Sequence, residues 1–135
     1  MNLSSDPILP ALDVWLRAFT RQGPDPQIVQ AFAERTRARC VLLLGGVRQD
    51  LLMAARDDRQ RHRLAWILSA FPHVPPTVDD HRRAAELHHR HRPLARLDAT
   101  HALTWAIAER LQAGIWSPHR SWQALMPLGC PVISR

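Results

Sequence analysis

Lysine is missing from this sequence, and cysteine and long apolar runs are scarce. All eighteen basic side chains of the 135 residues are arginine. The two cysteines, Cys40 and Cys130, lack CxxC spacing, so we interpret them as reduced apolar residues and expect no disulfide framework. No uncharged apolar run reaches the roughly 18 residues that a membrane span needs, and the N-terminus has Asp6 but no early arginine, unlike a signal peptide. We therefore expect a cytoplasmic protein with no membrane association.

What the chain does contain indicates a folded, basic protein. Nearly half of the residues are hydrophobic (46%), and five of them are tryptophan, which argues against a disordered chain. The length suits one compact domain over residues 1–135. A formal charge of +6 predicts an anionic partner but does not distinguish nucleic acid, lipid or acidic protein.

Helix and strand signals alternate along the sequence. Short apolar runs predict strands at 8–12, 40–44, 115–116 and 131–133, and the run at 40–44 has no polar alternation, which is typical of a buried parallel strand. Capping residues and helical spacing predict helices that begin near residues 14, 26, 58, 77, 98 and 121, and a further helical segment after Gly45-Gly46 that carries Asp50, Leu51, Leu52 and Ala55. Gly45-Gly46 is interpreted as a turn and Gly114 as the left-handed residue after a helix. The alternation predicts an α/β fold with a central parallel sheet flanked by helices.

Four strings in this order resemble a PIN domain of the toxin type, the VapC-like ribonucleases of toxin–antitoxin pairs. ILPALDVW (8–15) is similar to the strand that ends in Asp-Thr-Ser/Asn-Val-Trp, and VRQDLLMAAR (47–56) to a helix with a carboxylate before Leu-Leu. DATHA (98–102) is similar to the start of the next catalytic helix, and WSPHRSW (116–122) to a segment written Thr-x-Asp-x-Asp-Phe. The resemblance covers nearly the whole chain and implies a three-layer fold.

The resemblance implies a metal-dependent endoribonuclease. In this family, carboxylates from distant segments hold Mg²⁺ or Mn²⁺ beside an RNA phosphodiester, where the cation binds phosphate oxygens and helps to ionise the attacking water. The matching acids here are Asp50 and Asp98. Arg48, Arg120 and Ser121 lie in or beside the matching strings and are candidate RNA contacts. The resemblance also implies a homodimer and a small antitoxin partner.

The acidic pattern is incomplete. The first acidic position is Ala11, and the two late ones are His119 and Ser121. Asp13 could lean into the same site as a further metal ligand, because residues i and i+2 of an extended segment share a face; alternatively, it caps the helix that begins at Val14. His119 could bind the metal or protonate a leaving oxygen, or be an exposed loop residue.

Several other residues each allow two interpretations, one functional and one structural. Ser121 could bind a metal water or phosphate, or cap the helix after it. Trp122 could stack on a base, although packing is favoured. The histidines of HHRHR (88–92) could bind zinc or form a solvated helix face, and the arginine groups could form an RNA surface or be scattered.

Three hypotheses follow. The first is a toxin-type ribonuclease with a degenerate metal site, in which Asp50, Asp98, Asp13 and His119 are the catalytic candidates and the first three are the metal ligands. The second is a catalytically inactive PIN module that binds a protein or RNA. The third is an unrelated basic α/β domain.

Overall fold

The structure is a computed structural model that describes residues 6–19 and 25–133. Strands in the described residues are β1 (Ile8–Pro10), β2 (Leu43–Leu44), β3 (His73–Val74), β4 (Gly114–Trp116) and β5 (Val132–Ile133). The helices are α1 (Leu12–Phe19), α2 (Pro26–Arg37), α3 (Gly45–Met53), α4 (Asp58–Leu68), α5 (Val78–His91), α6 (Ala99–Leu111) and α7 (Arg120–Gln123), and a 3-10 turn covers Met126–Leu128. Within these residues no helix is both long and apolar enough to span a bilayer.

The strands form a parallel sheet, as the sequence predicts. β4 pairs with β1 on one side and β5 on the other, and β2 pairs with β3. A bridge between Ile8 and Val41 joins the two groups, so the order across the molecule is β3-β2-β1-β4-β5. The chain moves outward from β1 to β3 and then returns to the other side of β1, which makes the β1/β4 boundary the topological switch point.

Helices cover the sheet on both faces. Right-handed crossovers place helices on opposite faces when a chain moves to opposite sides of its first strand. Accordingly, α1 packs with α2 and α3, and α3 with α4, whereas α5 packs along α6. The predicted three-layer α/β architecture is confirmed. The fully buried Trp15, Trp105 and Trp116 lie in its single hydrophobic cluster.

Capping chemistry fixes several helix starts where the sequence predicts them. The Asp25 carboxylate accepts hydrogen bonds from the backbone N–H groups of Gln27 and Ile28, and Asp57 accepts one from Gln60. Thr77 and Asp80 form a reciprocal capping box at the start of α5. These local predictions succeed because a cap needs only residues adjacent in sequence.

Some local predictions are wrong. Gly45 and Gly46 form the first turn of α3 instead of a separate turn, and the left-handed residue after α6 is Gln112, with φ 53°, instead of Gly114. Asp13 is not the cap of a helix that begins at Val14: α1 begins at Leu12, and the Ala11 carbonyl accepts from the Val14 N–H at 3.0 Å. Strand β3 was not predicted, because Pro72 and Pro75 flank its two residues.

Candidate functional site

The predicted residues of the first and last strings meet at the switch point of the sheet. Pro10 of β1 pairs with Trp116 of β4, and the Ala11 N–H donates to the Trp116 carbonyl at 2.9 Å. Residues that follow these strands therefore leave the same edge of the sheet side by side. Ligands of open α/β sheets bind in the crevice at such an edge.

Asp13 lies in the first turn of α1 and faces the segment after β4. The hydroxyl of the fully buried Ser117 lies 2.9 and 3.0 Å from the two carboxylate oxygens of Asp13, and donates to them. The same Ser117 oxygen accepts from the backbone N–H of His119 at 3.0 Å. Asp13 thus fixes the path of the loop that carries His119.

A second hydrogen-bond chain runs from α6 to α7. Asp98 caps α6 by accepting from the His101 backbone N–H, and the same Asp98 oxygen lies 2.8 Å from Nδ1 of the His101 ring. The other ring nitrogen, Nε2, lies 3.2 Å from the Ser121 hydroxyl. That hydroxyl is also 2.8 Å from Nδ1 of His119. We call Asp98, His101, His119 and Ser121 the relay.

Packing holds the relay in place. The His101 ring lies 4.2 Å from the ring of Trp122, centroid to centroid, and Trp122 is buried. The packing interpretation of Trp122 is therefore confirmed. Burial acts to raise the pKa of Asp98, but hydrogen bonds from the backbone and ring of His101 outweigh it and hold that pKa below its usual range.

The residue that caps α7 is His119, whereas the sequence suggests Ser121. His119 is the N-cap residue, and its Nδ1 accepts from the Ser121 backbone N–H at 3.1 Å. Ser121 is therefore not the cap. The Ser121 hydroxyl instead lies between the imidazole rings of His101 and His119. No local sequence pattern indicates this position, because His101 belongs to a different helix, α6.

The remaining predicted residues lie outside the relay. Asp50 is exposed on α3, and its carboxylate has no hydrogen-bond or ion-pair partner among the described residues. Arg48, on the same helix, is half-buried, and Arg120 is the exposed first residue of α7, next to Ser121. The structure thus brings Asp13, Asp98, His119 and Ser121 into linked contacts but does not link Asp50 to them.

The described residues do not fit a resident Mg²⁺ in the way that the resemblance implies. No group of three or more His, Cys, Asp or Glu side chains among them could hold a metal ion, which includes the HHRHR histidines. Ala11 brings a buried methyl group to the first acidic position, and the carboxylates of Asp13 and Asp98 are already engaged by Ser117 and His101. The expected Mg²⁺ or Mn²⁺ dependence stays a prediction.

Sequence reasoning gave no role to Ser117 or His101. Both lie inside the strings that carry the resemblance, Ser117 at the position of the Thr in Thr-x-Asp-x-Asp-Phe and His101 three residues after Asp98. The spacing of Asp98 and His101 was the available signal, because residues i and i+3 of a helix are neighbours.

A large cavity lies at the other edge of the sheet. It has a volume of about 940 Å³ and is lined by the starts of β1, β4 and β5 and by Arg35. The Arg35 guanidinium packs 4.3 Å above the Trp116 ring, and burial lowers the pKa of Arg35. No member of the relay lines this cavity, so its size does not mark it as the site of the chemistry.

Known proteins resemble this chain in structure but not detectably in sequence. No protein-family model and no curated protein matches it. A toxin–antitoxin complex from Klebsiella pneumoniae superposes with a TM-score of 0.76 at 14% identity, over 94% of this chain and 96% of the other. FitAcB from Neisseria gonorrhoeae gives 0.77 at 14% identity, with the same coverage of both chains. VapBC2 from Rickettsia felis, bound to a DNA fragment from its promoter, gives 0.72 at 11% identity, over 93% and 95%.

These matches show the fold. The chain shares the fold of a chain in each of these three structures, and the match extends over nearly its whole length. At 11–14% identity they show nothing about the chemistry of the site.

Proposed function

We propose that this chain is the toxin component of a toxin–antitoxin pair, an endoribonuclease of PIN type that is held by a small antitoxin protein in the cytoplasm. The observation that carries the proposal is the match of nearly the whole chain to proteins from such pairs. The polar residues at the switch point, and a formal charge of +6 that attracts a phosphate backbone, support RNA as the substrate. A homodimer is part of the same proposal.

A second candidate is a PIN module that binds a protein or RNA without cleaving it. The observation that favours it is the lack of any three-ligand metal group among the described residues. Losing carboxylates weakens cation binding, and a small displacement of reacting groups can cost about 100-fold in rate. The two candidate functions assume the same fold and allow the same protein partner. They differ in whether the chain cleaves RNA.

The test measures cleavage of end-labelled RNA by the full chain in Mg²⁺, in Mn²⁺ and in EDTA. Any cleavage that co-purifies with the chain and is absent from a matched mock preparation supports the nuclease. Cleavage that needs a metal and is lost in both Asp50→Asn and Asp98→Asn supports the metal-dependent mechanism. RNA or antitoxin binding without cleavage under all three conditions supports the binding module and contradicts the nuclease.

A further inference from the structure

The relay has the connectivity of an activated serine. A carboxylate only accepts hydrogen bonds, so the close contact of Asp98 with His101 assigns the proton to Nδ1 of that ring. In the neutral ring, Nε2 then carries a lone pair, and it lies 3.2 Å from the Ser121 hydroxyl. Carboxylate, imidazole and hydroxyl are thus arranged in the order in which a general base removes a serine proton.

His119 assists from the opposite side. Its Nδ1 accepts from the Ser121 backbone N–H, so the neutral ring carries its proton on Nε2. The ring therefore orients Ser121 at Nδ1 and presents an N–H donor at the other nitrogen of an exposed side chain. The Ser121 hydroxyl has one proton and two ring acceptors, Nδ1 of His119 at 2.8 Å and Nε2 of His101 at 3.2 Å. Only His101 is backed by a carboxylate, which stabilises the imidazolium that forms when a ring takes the proton. We therefore assign the base to His101 and an orienting and anion-binding role to His119.

The charge of the site suits a phosphodiester without a cation. Ala11, His119 and Ser121 occupy three positions that hold acids in the resembling family, so the site has fewer carboxylates than that family. The carboxylates of Asp13 and Asp98 accept hydrogen bonds from Ser117 and His101. Repulsion of the phosphate oxygens is therefore smaller than in a cage of four or five carboxylates. Arg120 is exposed next to Ser121 and adds a positive charge.

We propose that Ser121 is a nucleophile that cleaves RNA phosphodiesters without a metal ion, with His101 as its general base. The Ser121 oxygen forms a bond to phosphorus as the bond from phosphorus to the leaving ribose oxygen breaks, and the hydroxyl proton moves to Nε2 of His101 and then to the leaving oxygen. Water next attacks the phosphoserine, gives a proton to His101, and releases Ser121, which recovers that proton. Asp98 is a positioning residue that orients His101.

This inference rests on the proposed function for its substrate but has a test that needs no RNA. The full chain is treated with a fluorophosphonate, a phosphorus electrophile that reacts with activated serines, and the modified residue is located by mass spectrometry. We expect labelling at Ser121 that is abolished in Ser121→Ala and slowed at least about 100-fold in His101→Gln, the usual contribution of a general base. Ser69→Ala is the matched control, because the Ser69 hydroxyl is exposed and bonds only to the Trp66 carbonyl.

Asp98 is tested with two variants. Asp98→Asn keeps a side-chain oxygen that caps α6 but removes the charge, so we expect labelling at least about tenfold slower with only a small fall in melting temperature. Asp98→Glu restores a carboxylate, and we expect it to recover part of the rate. Equal labelling of the wild type and Asp98→Asn would remove Asp98 from the mechanism.

RNA cleavage then separates this inference from the proposed function. We expect cleavage that persists in EDTA and is lost in Ser121→Ala. Unlabelled Ser121 in the folded wild type, or cleavage that survives in Ser121→Ala, overturns the inference and leaves the nuclease standing. Labelling at Ser121 without RNA cleavage under any condition supports the activated serine and overturns RNA as its substrate.

Discussion

Cys130 illustrates how burial decides the chemistry of a single side chain. Its thiol is only 3% exposed, and burial, with a smaller effect of Glu109, raises its pKa to about 12. Cys40 is equally buried, and burial raises the pKa of its thiol as well. Since the thiolate is the reactive form, burial and a raised pKa both make these two thiols less reactive in the folded chain.

We expect both cysteines to resist alkylation in the native state. Iodoacetamide at pH 8 should modify them at least about 100-fold more slowly in buffer than in urea, because both exposure and ionisation are suppressed in the fold. Peptide mass spectrometry measures the two rates separately. Rapid native labelling of Cys130 would contradict the buried position of the residue.

The sequence motifs predicted which residues lie close together better than they predicted the hydrogen bonds that each residue makes. Asp13, Asp98, His119 and Ser121 do meet in linked contacts, because their strings follow adjacent parallel strands or begin the helix beside them. Their bonding could not be predicted, since whether Ser121 caps a helix or faces His101 depends on the packing of α6 against α7. Asp50, which the same motif reasoning placed with Asp98, stays outside these contacts.

At the scale of elements, α5 and α6 are joined by a buried ion pair. The Arg110 guanidinium donates to both oxygens of Asp80 at 2.8 and 2.9 Å, and Asp80 is only 3% exposed. Hydrogen bonds from Arg110 are the main reason that the pKa of Asp80 lies below its usual value. Asp80 therefore anchors the neighbouring helix in addition to capping its own.

Replacing Asp80 should destabilise the fold in a pH-dependent way. We expect Asp80→Asn to lower the free energy of unfolding at pH 7 by about 1–3 kcal/mol, because Arg110 keeps its position but loses a charged acceptor. The pKa of Asp80 is lower in the folded state than in the unfolded state, where it is about 3.9. The ionised carboxylate therefore stabilises the fold at pH values above about 3.9, and this stabilisation is lost as the pH falls through the folded-state pKa. The difference between wild type and variant should therefore shrink below about pH 4.

Urea denaturation at pH 7 and at several lower pH values measures this difference. Asp79→Asn is the control, since Asp79 is exposed and its contact with Arg82, at 3.6 Å, is a surface pair. Such pairs contribute up to about 1 kcal/mol. A similar loss in both variants, or a difference that grows towards low pH, would contradict the role of the buried pair.

For the whole molecule, local patterns predicted the architecture but not the exact boundaries. Apolar runs and caps depend on neighbours in sequence, so the parallel sheet, the Asp57 cap of α4 and the capping box of α5 followed from the sequence. The two-residue strand β3 and the left-handed Gln112 depend on tertiary pairing and packing, which no window of sequence contains. The sheet and hydrophobic core of this chain form with Ala11, His119 and Ser121 at the three positions where the resemblance implies acids.

Because the fold forms without carboxylates at positions 11, 119 and 121, we expect that introducing them can create a metal site. We expect the triple variant Ala11→Asp, His119→Asp, Ser121→Asp to melt at a lower temperature than the wild type without metal, because Ala11 is buried and the new carboxylates repel one another. Mn²⁺ or Mg²⁺ should raise the melting temperature of the variant, because a cation that binds only the folded state stabilises it by about 2.7 kcal/mol at 100 times its dissociation constant.

The wild type should show no such metal-dependent shift, since its described residues offer no three-ligand group. A triple variant with Asn at the same three positions matches the shape of the restored cage without its charge, and we expect it to be insensitive to metal as well. Differential scanning calorimetry in EDTA and in millimolar Mn²⁺ measures all three proteins. If metal raises the melting temperature of the wild type as much as that of the triple Asp variant, the natural site already binds a cation. Asp50 and Asp98 would then be the expected metal ligands.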